Sequence, residues 1–270
     1  MGIHQDNFTM LSELERLAAM VQDPQRRLEL GAVEWPLAMM AFCLLISNDE
    51  SRLDEALEVY PLFLSHTEET ARQKSLSLLE NFIKMRKGEG WRAFIPYALS
   101  DTETIAKRAA GLVILMAKPE EGERFTGVQT LVKLLQQRAD APRALLAAIF
   151  DLADLRVEPL LAPLLALPES RLGELLPASM ANRLSCNWIL SLLKQRPELS
   201  TLVTDSLCAM ANTPVVMDVV VPVPVWSFES PKVQPLHGWT PAEYFARMRP
   251  ELEPVLSPEQ LEEVKQAYQA

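Results

Sequence analysis

The chain has 270 residues, 49% of them apolar, with 9 glycines, 20 prolines and a net charge of −10. That is enough apolar length for a sizeable core, and it excludes a disordered acidic tail. So few glycines beside so many leucines and alanines favour helices over a glycine-looped sheet enzyme.

The first ten residues, MGIHQDNFTM, do not pair a basic stretch with an apolar run, and Asp6 does not fit the myristoylation pattern. The most apolar window, Trp35 to Ile46, is shorter than the roughly 20 residues a bilayer requires. A soluble, cytoplasmic protein with no membrane partner is expected. Cys43, Cys186 and Cys208 sit in apolar helical contexts without metal-ligand spacing, and read as buried thiols. Charge is uneven. Residues 1–60 hold 11 acids and 4 bases, whereas 61–120 hold 7 acids and 9 bases. A chain with no long basic stripe is a poor fit to nucleic acid.

From residue 8 to 212, apolar residues recur at spacings of three and four. Leu76, Leu79, Phe82 and Ile83 form one stripe, Leu131, Leu134 and Leu135 another, and Leu145, Ile149, Leu152 and Leu155 a third. Turn signals separate them at Asp23-Pro24, Lys87-Gly88-Glu89-Gly90, Ala141-Pro142, Leu167-Pro168 and Arg196-Pro197. Short helices joined by short turns predict antiparallel hairpins.

Two stretches repeat. "FLSHTEETARQKSLSLLENF" from Phe63 and "ALSDTETIAKRAAGLVILMA" from Ala98 align at an offset of 35 residues. Leu64, Ser65, Thr67, Glu68, Ala71 and Arg72 meet Leu99, Ser100, Thr102, Glu103, Ala106 and Lys107. Each copy follows an aromatic, proline-bearing segment, "EVYPLFL" or "WRAFIPYAL", and looser echoes lie near Asp23 and Asp140. This resembles the HEAT and armadillo class of α-solenoids. In that class a turn aspartate precedes a basic residue by six positions. Asp101 and Lys107 keep that spacing, and His66 and Arg72 keep it with the aspartate replaced. The resemblance is best over residues 60–117, loose to about 212 and absent beyond. It implies an all-α fold, a right-handed solenoid of stacked hairpins over residues 1–213. Each hairpin would cover its neighbour's apolar face, with Ala109, Ala110 and Gly111 allowing close approach.

After Thr213 the pattern changes. "PVVMDVVVPVPVWSF", residues 214–228, holds seven valines between 215 and 225, and Pro222 and Pro224 rule out a central strand. It reads as an extended strap on the helices, with an edge strand or a docking peptide as alternatives. "TPAE" from Thr240 and "SPEQ" from Ser257 are helix starts, predicting helices Pro241–Arg249 and Pro258–Gln269. Residues 214–270 are thus expected to pack on or cap the solenoid.

Phosphate loops, nucleophile elbows, zinc-protease motifs and calcium loops are absent from the sequence. His4, His66 and His237 lie far apart, so neither a metal nor another cofactor is expected, and His66 reads as an exposed turn residue. Asp151 and Asp154 share a helix face but read as surface acids. Two charged runs stand out. "KMRKGEGWR" carries Lys84, Arg86, Lys87 and Arg92 beside Trp91, and suits a phosphate or an acidic partner unless Trp91 packs inward. "NDESRLDEALE" carries Asp49, Glu50, Asp54, Glu55 and Glu58, and suits a basic partner. The expected function is non-catalytic binding of another protein, as scaffold, adaptor, secretion accessory or toxin-neutralising protein. The alternative is a HEAT-like enzyme, such as a DNA-repair glycosylase or lyase, recognisable by a cleft of converging polar groups.

Overall fold

A computed structural model describes residues 66–118, 125–153, 155–176, 183–211 and 241–269, and before these only 15–20, 23–27, 29–31, 33–35, 37–38, 41, 57 and 64. The described residues are helical, with no strand among them. They fall into two compact units, 1–127 and 128–270.

In the first unit a single helical turn, Pro24–Arg27, starts where Asp23 Oδ1 accepts the Gln25 and Arg26 amides. Helix α1 is Glu69–Met85. A 3-10 turn over Trp91–Phe94 leads into the short α2, Ile95–Ala98, and α3 is Glu103–Met116. The predicted stripe of α1 is its core face, since Leu76, Leu79, Phe82 and Ile83 are all buried. On α3, Ala109, Ala110 and Gly111 are buried, as close packing by small residues requires. The intervening 3-10 turn and α2 pack on α3, burying Trp91, Phe94 and Tyr97 between the longer helices. α1 and α3 run parallel. Thr104 Oγ1 donates to Glu69 at 2.8 Å, and Arg108 donates to Ser77 and Glu80 at 3.0 and 2.7 Å. Arg72 Nη2 donates to Thr102 at 2.9 Å.

His66 is half-buried rather than exposed. Its Nδ1 accepts the Glu68 amide at 3.0 Å, its Nε2 lies 3.3 Å from the Leu30 carbonyl, and its ring meets Trp35 edge-on. One neutral tautomer, protonated at Nε2, satisfies both contacts.

α4, Thr126–Gln137, starts in the first unit and runs into the second. Then come α5 (Ala144–Leu152), a 3-10 turn (Leu155–Val157), α6 (Glu158–Leu161), a second 3-10 turn (Ala162–Ala166), α7 (Glu169–Leu175), α8 (Arg183–Gln195) and α9 (Ser200–Ala211). Two arginines tie successive turns together. Arg171 donates to the Ala141 carbonyl, and Arg196 donates to the Leu167 carbonyl at 2.7 Å. Each acceptor precedes a proline, whose missing N–H leaves that turn with fewer internal bonds. The third predicted stripe breaks at its end. Leu145 and Ile149 are buried, but α5 stops at Leu152 and Leu155 turns outward, 36% exposed.

The last helices are α10, Pro241–Leu252, and α11, Pro258–Gln269. α10 runs past the predicted stop at Arg249 and through Pro250. The final turn is held by burial of Met248 and Leu252 and by the Glu253 amide bonding to the Arg249 carbonyl at 3.0 Å. α11 begins with a reciprocal cap. The Ser257 amide donates to Gln260 Oε1 at 3.0 Å, and the Gln260 amide donates to Ser257 Oγ at 3.2 Å. α11 packs along α9, and α10 packs on α8 and α11. These helices therefore belong to the same compact unit as α8 and α9. The Val/Pro-rich segment 214–228 lies outside the described residues.

Candidate functional site

The basic run sits where α1 ends. Arg86 caps the helix, Lys87 takes the left-handed conformation at φ 54°, and Gly88 follows at φ 84°. The Lys87 amide bonds to the Lys84 carbonyl and the Gly88 amide to the Ile83 carbonyl, at 3.0 and 2.9 Å, which is a Schellman closure with lysine in the position glycine favours. Glu89, Trp91 and Ala93 continue the amide bonding, so the loop is tied to itself along its length. It is also pressed against its surroundings. A Cβ on Gly88 would meet the Met116 carbonyl at 2.8 Å, and one on Gly90 would meet Leu57 at 2.7 Å. Backbone closes the space at Gly88, and at Gly90 it is the φ of 82° that favours glycine, whereas the side chain of Lys87 is exposed.

The predicted binding residues divide. Trp91 is buried, and Arg92 is exposed with its guanidinium 4.7 Å from the Trp91 ring centroid. Arg86 lies 5.2 Å from the Phe82 ring centroid. Trp91 thus anchors the loop from within, with the Arg92 guanidinium over its ring. Lys84 pairs with Glu80, which also receives Arg108. Burial pushes the Glu80 carboxyl up, but the hydrogen bonds and charges of Lys84 and Arg108 outweigh it and hold it below the ordinary carboxylate range.

Three residues that the sequence reading passed over complete the corner. The loop lies over the end of α3, which brings Lys118 Cε to 4.0 Å from where a Gly88 Cβ would be. Lys87 and Lys118 form no ion pair among the described residues. Arg108 and Leu115 lie seven residues apart on one face of α3, the face that meets α1, and Leu115 is 46% exposed. The 35-residue repeat gave no signal for Lys118, which it maps onto the buried Ile83 when carried on past the helices.

The acidic residues Asp49, Glu50, Asp54, Glu55 and Glu58 lie outside the described residues. Leu57, from the same run, lies against Gly90.

A concavity lies in the second unit, an open groove of about 380 Å³. Its apolar wall includes Leu155, Pro159, Leu165 and Trp188, and Arg156, Glu158 and Gln195 stand at its polar side. Trp188 donates to the Leu161 carbonyl at 3.4 Å, and Asn187 donates to Glu158 at 2.8 Å. Asp151 is half-buried, and its predicted neighbour Asp154 lies outside the described residues. Among the described residues no three His, Cys, Asp or Glu converge, and no helix is long and apolar enough to cross a membrane. No protein-family model, curated protein or solved structure matches the chain.

Proposed function

We propose that this chain is a HEAT-like α-solenoid that binds another protein without catalysis, and that the joined faces of α1 and α3 carry the contact. The observation that carries the reading is the bond from Thr104 to Glu69. These two residues are equivalents in the 35-residue alignment, and stacked repeats bring equivalents side by side. The same seam continues through Ser77, Glu80 and Arg108 to the basic corner, so a line of polar groups ends in exposed cations. Extended faces of this kind suit a partner's surface better than a small substrate. Scaffold, adaptor, secretion accessory and neutralising roles all use such a face.

The test is in-cell crosslinking and capture with the full chain beside a Lys87→Glu/Lys118→Glu variant. One stable protein partner, reduced in the variant and crosslinked to α1 or α3, supports the reading. A wild-type chain that captures no protein, or that turns over a nucleic-acid or small-molecule substrate, overturns it.

A further inference from the structure

We draw no further inference here: the strongest candidate, the open groove between α6 and α8 walled by Leu155, Pro159, Leu165 and Trp188, carries none, because nothing in the structure shows what covers it.

Discussion

Lys87 shows how one residue can be unfavourable for stability and useful on a surface. Its φ of 54° is a glycine's conformation, so Lys87→Gly should raise stability by about 1 kcal/mol while removing a cation. A higher melting temperature than wild type is the expected result, and an unchanged or lower one would contradict it. Gly88→Ala should do the reverse, because its Cβ would sit 2.8 Å from the Met116 carbonyl and backbone has to shift. The cysteines give a second prediction, Cys186 being buried and Cys208 half-buried, while Cys43 lies outside the described residues. Burial, with a smaller contribution from Glu251, pushes the Cys186 thiol up to about 12. Burial likewise raises Cys208, helped by Glu263 and Asp205. Thiolate is the reactive form, so iodoacetamide at about pH 8 should spare Cys186 in the folded chain and label it in denaturant. Peptide mass spectrometry reads the difference, and rapid labelling in the native state would contradict the packing of α8.

Helix pairs are held by few polar contacts, and each can be removed separately. Glu80 joins α1 to α3 through Arg108 and supports Lys84 on its own helix. Its carboxyl is lowered on folding, so it stabilises above the ordinary carboxylate value and loses that effect as pH falls through the lowered one. Glu80→Gln should therefore melt earlier than wild type at pH 7, by an amount limited by solvent screening to about 1 kcal/mol or less. The gap should close below about pH 4 as the wild-type carboxyl protonates. Parallel melts across that range check the sign. At the other end of the chain, Ser257→Ala removes one half of the α11 cap and should cost about 1 kcal/mol. That cap was legible in "SPEQ", because a capping box is a contact between residues three apart. The extension of α10 through Pro250 was not legible, because burial of Met248 and Leu252 by other helices decides it.

Across the second unit, α10 and α11 bury Phe245, Met248, Leu252, Val264 and Tyr268. Their removal exposes several large apolar side chains, each worth roughly 1.5–3 kcal/mol of burial. A chain cut after Thr213 should thus melt early whether or not residues 214–228 form a strap. The sharper experiment replaces 214–228 with a Gly/Ser linker of equal length and leaves α10 and α11 in place. A strap predicts a lower midpoint and more aggregation, whereas a docking peptide predicts an unchanged midpoint and a lost partner.

The apolar stripes, the proline-marked turns, the 35-residue repeat and both terminal helix starts could be read directly from residue order. All depend on neighbours within a few positions, or on a pattern repeated along the chain, and they sufficed for an all-helical fold. His66, Trp91 and Lys118 could not be placed that way. His66 is half-buried because Leu30 and Trp35, more than 30 residues earlier, supply its partners. Trp91 faces inward because the Schellman turn before it sets the direction in which the chain re-enters the core. Lys118 joins the basic loop only because Gly88 lies against the carbonyl of Met116. Charge along the chain showed which residues are cationic, but their convergence depends on helix-to-helix contact. That contact is made by groups about 30 residues apart, beyond the reach of any local pattern.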